Sequence, residues 1–178
     1  WGWDPLVQLF ASRGIAVFQP NYRGSTGYGR EHERLGYGQW GLAMQDDLDD
    51  GVEHLAKQGT IDPKRACIVG ASYGGYAVMM GLARDPGRWR CGINYVGVTD
   101  INLMFDVTWS DSFDSDFIRY SAKELIGDPD RDAAQLRATS PLEQVAKIRA
   151  PVLMVYGGQD YRVPLVHGET MRDALKKN

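Results

Sequence analysis

The stretch "IVGASYGGYAV" (residues 68–78) places one serine, Ser72, in a run of small residues that follows an apolar segment. Gly70 and Gly74 stand two positions before and after it, which gives the pattern Gly-x-Ser-x-Gly. This pattern is typical of a tight strand-to-helix turn, in which side chains at the two glycines would collide with the strand or helix. Such a turn exposes the serine hydroxyl at the edge of a sheet, and the N–H of Tyr73 becomes a donor for an oxyanion.

A glycine-rich turn with a capping serine is the alternative interpretation of the same residues. The flanking sequence decides between the two. Residues 66–71, "ACIVGA", predict a buried strand, and residues 73–84 predict a helix that ends at "DPG". A serine between a buried strand and a helix is the context in which this motif carries a nucleophile.

The rest of the chain alternates apolar segments with amphipathic ones. Asp4 and Pro5 predict the start of a helix, and short helices are expected within residues 100–147. Further strands are predicted at residues 15–22, 91–98 and 151–158, and further helices at residues 40–58 and 164–177. Strands that are apolar throughout and alternate with helices are typical of an α/β fold, a mostly parallel sheet with helices on both faces.

A serine hydroxyl needs a base, and the base needs an acid that orients it. Asp160 follows the predicted strand 151–158 and lies at the same sheet edge as Ser72, because parallel strands end at one edge. A turn aspartate after two glycines is the alternative. His32, His54 and His167 are interpreted as surface or packing residues, so we expect the catalytic histidine to lie beyond residue 178.

Composition limits the classes of partner. The 178 residues are 43% apolar, and 20 basic and 23 acidic side chains are scattered to a net charge of -3. Nothing here favours a nucleic acid or a membrane as a partner. Cys67 and Cys91 are interpreted as buried free thiols, which favours a reducing, cytoplasmic compartment. The sequence begins at Trp1 rather than Met, so a secretory signal stays open.

Three other motifs are set aside, so no metal or organic cofactor is expected. "RGSTGYG" (23–29) lacks the Gly-Lys-Ser/Thr ending of a phosphate loop. "WSDSFDSDF" (109–117) lacks the turn glycine of a calcium loop and is interpreted as a mobile loop near a substrate mouth. A solvated helix face is the simpler account of the acidic group formed by Asp46, Asp47, Asp49 and Asp50.

Four stretches together resemble the prolyl oligopeptidase family of serine peptidases, in its acylaminoacyl-peptidase and dipeptidyl-peptidase branches. They are "NYRGSTGYG" (21–29), "QDDLDDGVEHL" (45–55), "IDPKRACIVGASYGGYA" (61–77) and "GGQDYRVP" (157–164). The resemblance implies an α/β-hydrolase catalytic domain with Ser72 as nucleophile, Asp160 as triad acid and Tyr73 at the oxyanion hole.

The resemblance also implies substrate contacts. Arg162 matches a position that holds a substrate carbonyl in some members, and a salt bridge to a nearby carboxylate is its alternative. Three apolar residues fall where relatives line the pocket for the side chain before the scissile bond: Ile101, Met104 and Val163. A short peptide is the implied substrate. A carboxylesterase or thioesterase on the same fold, or a non-catalytic module, stays open as an alternative.

Family members usually carry a β-propeller ahead of the catalytic domain. By the same resemblance, residues 1–178 form one partial catalytic domain, incomplete at both ends and inactive alone. The family's strand order places an absent strand between residues 15–22 and 66–71. We therefore expect exposed sheet edges, covered by another copy of the chain or by another segment.

Overall fold

The computed structural model describes residues 2–106 and 121–178. Eight helices and three strands are described in that part of the chain, together with 3₁₀ segments at Pro63–Arg65 and Pro141–Lys147. In chain order the helices and strands are α1 (Pro5–Ala11), α2 (Arg30–Arg34), α3 (Ala43–Lys57), β1 (Cys67–Ala71), α4 (Tyr73–Arg84), β2 (Cys91–Tyr95), α5 (Leu103–Asp106), α6 (Lys123–Leu125), α7 (Ala133–Ala138), β3 (Val152–Val155) and α8 (Val166–Lys177).

The three strands form one parallel sheet in the order β1-β2-β3. Their carboxyl ends are aligned, because Ala71 pairs with Tyr95 and Tyr95 pairs with Val155. The loops that follow β1 and β3 therefore leave the sheet at the same edge, with the end of β2 between them. This is the edge at which an open parallel sheet carries its functional groups.

The core lies on the face of the sheet that α4 covers. Gly92 of β2 allows close packing there, because a Cβ at this position would come within 2.8 Å of Leu82 and Val78 of α4. Met171 of α8 joins the same buried cluster. The opposite face carries exposed apolar side chains, with Leu153 57% and Val69 40% exposed. The parallel sheet, its crossover helices and the strand–serine–helix junction confirm the α/β-hydrolase fold.

The strand predicted at residues 15–22 is wrong. This segment is irregular and pairs with no strand in the described part of the chain. Its apolar residues are partly exposed, as for Ile15 at 51%. The Phe18 ring lies against Gly51 of α3, where a Cβ would come within 2.8 Å of it. An extended apolar segment becomes a strand only when a neighbour accepts its backbone hydrogen bonds.

The prediction of two free thiols is also wrong, because Cys67 and Cys91 form a disulfide with a Cα–Cα distance of 4.7 Å. The two residues pair directly across β1 and β2. Each cysteine is the first residue of its strand, and the parallel register brings the two first residues together. The two cysteines therefore give no support for a reducing compartment. No helix within residues 2–106 and 121–178 has the length and apolar character needed to span a membrane.

Candidate active site

Ser72 lies on a strained turn between β1 and α4. Its φ of 55° and ψ of -117° are in a region that side-chain-bearing residues rarely adopt. The turn is so tight that a Cβ on Gly70 would come within 2.7 Å of the Gly74 Cα. Ser72 is exposed, whereas the helix that follows is buried from Gly75 onwards through Ala83. The geometry predicted from the Gly-x-Ser-x-Gly pattern is therefore present.

Two backbone hydrogen bonds hold this turn. The Ser72 N–H donates to the carbonyl of Tyr95, the last residue of β2, at 3.0 Å. The Tyr76 N–H donates to the Ser72 carbonyl at 3.0 Å and closes the first turn of α4. The N–H groups before Tyr76, including that of Tyr73, have no acceptor within the helix. They lie beside the serine and can receive a negatively charged oxygen.

Asp160 lies in the loop between β3 and α8. Its Oδ1 accepts the backbone N–H groups of Arg162 and Val163, each at 2.9 Å. Its own N–H donates to the Gly157 carbonyl at 3.3 Å. The carboxylate is half-buried and lies at the sheet edge that carries Ser72. The structure thus places the predicted nucleophile and the predicted acid at the same edge.

The three predicted pocket residues belong to one apolar cluster. Ile101 is 0% and Val163 4% exposed, so both are core side chains in this chain. Met104 is half-buried and packs against the cluster, as Tyr73 does. The cluster includes Tyr76 and Met80, so it packs against α4, the helix that follows Ser72. Arg162 is exposed, and its backbone N–H is one of the two donors that hold Asp160.

Three aromatic rings lie around Tyr73, the residue after Ser72. Tyr73 lies with its ring centroid 4.7 Å from Trp40 and 5.5 Å from Tyr22, and Tyr76 lies 5.0 Å from Trp40. Burial raises the pKa of Tyr73, whose hydroxyl has no hydrogen-bond partner among the described residues. The Tyr73 side chain therefore stays neutral, and its ring packs the start of α4 against Trp40 and Tyr22.

Each of the three histidines has a place that suits a structural role. The Nε2 of His32 lies 3.1 Å from the Tyr22 carbonyl, and His54 is exposed on α3. His167 is 2% exposed, and its Nδ1 accepts the Thr99 N–H at 3.3 Å. Burial lowers the pKa of His167 to about 4.

The acidic group on α3 is not a simple solvated face. Asp46 pairs with Arg84 at 2.6 Å, Asp47 with Arg23 at 2.6 Å and Asp49 with Arg88 at 3.6 Å. The Arg23 hydrogen bonds hold the pKa of Asp47 below its usual value. The acidic residues tie α3 to its neighbours, and no group of three metal-ligating side chains occurs in the part of the chain that the structure describes. Residues 109–117, interpreted above as a loop near the substrate mouth, lie outside the described residues.

Sequence reasoning missed a polar group beneath the site. It consists of Asn94 in β2, Tyr156 just after β3, and the turn at Val96 and Gly97. Val96 has a φ of 45°, an outlier for a β-branched residue. A signal was present, since an asparagine within the apolar run "CGINYVGV" (91–98) requires a partner when it is buried.

The parallel sheet and the strand–serine–helix turn at its edge define the class of protein, an α/β-hydrolase. The model of the prolyl oligopeptidase family matches residues 1–178. The chain belongs to the prolyl oligopeptidase family.

Three similar proteins illustrate the relationship. The dipeptidyl aminopeptidase BIII of Pseudoxanthomonas mexicana is 35% identical over 99% of this chain and 25% of its own length. A puromycin-hydrolyzing peptidase of Mycobacterium tuberculosis superimposes with a TM-score of 0.86 at 30% identity, over 95% of this chain and 25% of that one. The acylaminoacyl peptidase of Pyrococcus horikoshii has a TM-score of 0.78 at 28% identity, over 88% and 24%. The chain spans about a quarter of the length of these relatives.

Proposed function

We propose that the intact protein is a serine peptidase that hydrolyses short peptides of the dipeptidyl or acylaminoacyl type. The observation that carries the proposal is the strained, exposed Ser72 at the same sheet edge as Asp160. The names of the relatives support a peptide substrate, since they are dipeptidyl and acylaminoacyl peptidases. A strained turn that exposes a hydroxyl has a structural cost, and such strain is found mainly at functional sites.

In the proposed reaction the Ser72 hydroxyl attacks the peptide carbonyl and forms an acyl-enzyme, and water then hydrolyses the ester. A histidine outside residues 1–178 takes the serine proton and delivers it to the leaving amine. Asp160 orients that histidine. The Tyr73 N–H is one donor to the oxyanion. The positions of His32, His54 and His167 support a base from outside this stretch.

The proposed substrate contacts are made by residues near the sheet edge that carries Ser72 and Asp160. Arg162 is exposed two residues after the acid, where a guanidinium suits a substrate carbonyl. Met104 is proposed to contact the side chain before the scissile bond. Ile101 and Val163, being buried, are proposed to shape the pocket from behind.

The proposal places residues 1–178 as a single partial domain in a larger protein. An upstream β-propeller and association through the sheet edges belong to the same proposal. The exposed apolar face around Leu153 supports the need for a cover from another segment or another copy.

The test uses the intact protein and a fluorophosphonate probe, with Ser72→Ala as the variant and Ser12→Ala as the control. Ser12 is exposed at the end of α1, where its hydroxyl donates to the Leu9 carbonyl. We expect the wild type and Ser12→Ala to be labelled and Ser72→Ala to be unlabelled. Hydrolysis of dipeptidyl and acyl-amino-acid anilides should fall about 10⁴–10⁶-fold in Ser72→Ala.

Two results would contradict the proposal. Absence of labelling in the wild type supports a non-catalytic module. Turnover of nitrophenyl esters without turnover of the anilides supports an esterase on the same fold.

A further inference from the structure

Asn94 and Tyr156 form a closed set of hydrogen bonds with the backbone of Gly97. The Asn94 Oδ1 accepts the Gly97 N–H at 2.8 Å, and its Nδ2 donates to the Tyr156 hydroxyl oxygen at 3.1 Å. The Tyr156 hydroxyl donates in turn to the Gly97 carbonyl at 2.6 Å. Asn94 is 0% exposed, so these partners stand in for water at both its Oδ1 and its Nδ2. The N–H of Gly97 is thus held by Asn94, and its carbonyl is held by Tyr156.

Gly97 lies against the first turn of α4, the helix that follows Ser72. A Cβ on Gly75 would come within 2.6 Å of the Gly97 Cα, so the two backbones touch with no side chain between them. Gly75 is three residues beyond Ser72. The position of Gly97 therefore limits where α4 can begin, and with it the direction in which the serine hydroxyl points.

The same turn is tied to the Ser72 backbone and to β3. The Ser72 N–H donates to the Tyr95 carbonyl at 3.0 Å, and the Val96 N–H donates to the Val155 carbonyl at 2.8 Å. Val96, between these bonds, is held at a φ of 45°. A β-branched residue stays in such a conformation only when its surroundings impose it. The hydrogen bonds at Gly97 supply that constraint.

Tyr156 is the first residue after β3 and begins the loop that carries Asp160. Its ring lies on Gly168 of α8, where a Cβ would come within 2.6 Å of the ring. One tyrosine therefore contacts the helix after the acid loop, and its hydroxyl fixes the turn that packs under the nucleophile.

We propose that Asn94 and Tyr156 are positioning residues that set the separation between the Ser72 hydroxyl and the Asp160 carboxylate. The inference rests on the proposed function, since it assigns these residues to the same reaction. Neither side chain needs to touch the substrate. Both act through the backbone of Gly97.

The test compares two tyrosines in the intact protein, the half-buried Tyr156 and the buried Tyr76, each changed to phenylalanine. Tyr156→Phe removes the hydroxyl that joins Asn94 to Gly97. Tyr76→Phe is the matched control, because Tyr76 is 0% exposed and its hydroxyl also donates to a backbone carbonyl, that of Thr139, at 2.8 Å. Each variant loses one hydrogen bond to a backbone carbonyl, and Tyr156→Phe also loses the one that Asn94 donates to the hydroxyl. A role in stability alone predicts that both variants keep the wild-type kcat at a temperature well below Tm.

We expect Tyr156→Phe to lower kcat for a peptide anilide roughly tenfold with KM unchanged, less than the roughly hundredfold cost of a 1 Å misplacement. The rate constant of fluorophosphonate labelling should fall by the same factor. Tyr76→Phe should stay within about twofold of the wild type, at a similar change in Tm. Asn94→Ala should lower kcat as Tyr156→Phe does, and the double variant should be no worse than Asn94→Ala alone, because the three groups act as one unit.

The outcomes separate this inference from the proposed function. A wild type that is not labelled contradicts the proposed function. A labelled wild type, with Tyr156→Phe and Tyr76→Phe equally active, contradicts the positioning role while leaving the peptidase intact. If Asn94→Ala does not fold, the comparison of Tyr156→Phe with Tyr76→Phe still tests the positioning role.

Discussion

The loops that carry Ser72 and Asp160 leave the same edge of the sheet, yet they are built by different means. The serine loop is fixed by excluded volume, because Gly70 and Gly74 are too close for any side chain at position 70. The acid loop is fixed by hydrogen bonds from the Arg162 and Val163 N–H groups to the Asp160 carboxylate itself. At Gly158 of the acid loop a Cβ would meet nothing within 4 Å.

The two loops are therefore sensitive to different substitutions. The serine contributes nothing to the shape of its own turn through its side chain, since no hydrogen bond caps α4 from Ser72. Its hydroxyl can be removed without loss of structure. The aspartate both holds its loop and carries the charge, so the two roles must be separated by the choice of substitution.

Among the substitutions that compare the two loops, Asp160→Asn in the intact protein should have the largest effect. The amide oxygen can still accept the N–H groups of Arg162 and Val163, so the loop keeps its shape, but the charge proposed to stabilise the catalytic imidazolium is lost. We expect kcat to fall about 10⁴-fold with little change in Tm. Asp160→Ala should lose the same activity and also lower Tm, because two N–H groups lose their acceptor. Near-normal turnover by Asp160→Asn would remove Asp160 from the triad.

The next effect is steric and compares Gly70→Ala with Gly158→Ala. Alanine at position 70 must displace the backbone of Gly74, so we expect a loss of stability of about 3 kcal/mol and a fall in kcat of about 100-fold. Alanine at position 158 meets open space and should leave both quantities unchanged. Urea unfolding and anilide hydrolysis measure the two quantities on each variant. Equal tolerance at both positions would mean that the serine turn is not held by excluded volume.

The contrast between the loops also explains what the sequence could predict. The strand–serine–helix turn was predictable because its cause is local, and α4 begins and ends at Tyr73 and Arg84, as expected. The strand at residues 15–22 was predicted wrongly because a strand depends on a distant neighbour rather than on its own apolar residues. The pairing of Cys67 with Cys91 was missed because it depends on the register of β1 and β2.

The positioning group shows the same limit within the site. Asn94, Gly97 and Tyr156 come from different parts of the chain, and Gly168 of α8 makes room for the tyrosine ring. No spacing in the sequence links these residues. The placement of Ser72 and Asp160 at one sheet edge could be predicted from short motifs, whereas the contacts proposed to set their separation needed the strand order and the packing of α8.

A third prediction concerns the disulfide at the opposite end of β1 from Ser72. Cys67→Ser with Cys91→Ser, or reduction by a dithiol, should lower the free energy of unfolding by about 3 kcal/mol, for a loop closed across 24 residues. If excluded volume fixes the serine turn locally, kcat at a temperature well below Tm should be unchanged. A parallel loss of kcat would show that the turn depends on the whole length of β1, and would weaken the contrast with the acid loop.

The smallest expected effect is a pH dependence of stability that arises in α8, the helix after the Asp160 loop. His167 of α8 is buried, and its Nδ1 accepts the Thr99 N–H, so protonation would place two N–H groups face to face. Burial lowers its pKa from 6.5 to about 4, although the carboxylates of Asp100 and Asp160 act in the opposite direction.

Because the unfolded chain binds this proton more readily, the stabilisation from His167 is complete above pH 6.5 and is lost as pH falls towards 4. Between pH 7 and 5 the free energy of unfolding should drop by about 2 kcal/mol on this account. His167→Asn keeps an acceptor near the Nδ1 position and should flatten the pH profile of Tm, whereas His54→Asn on the exposed side of α3 should not. If the pH profile of Tm is unchanged in His167→Asn, α8 and the Asp160 loop are no more sensitive to pH than the serine turn. The least stable part of that region must then be the Asp160 loop itself.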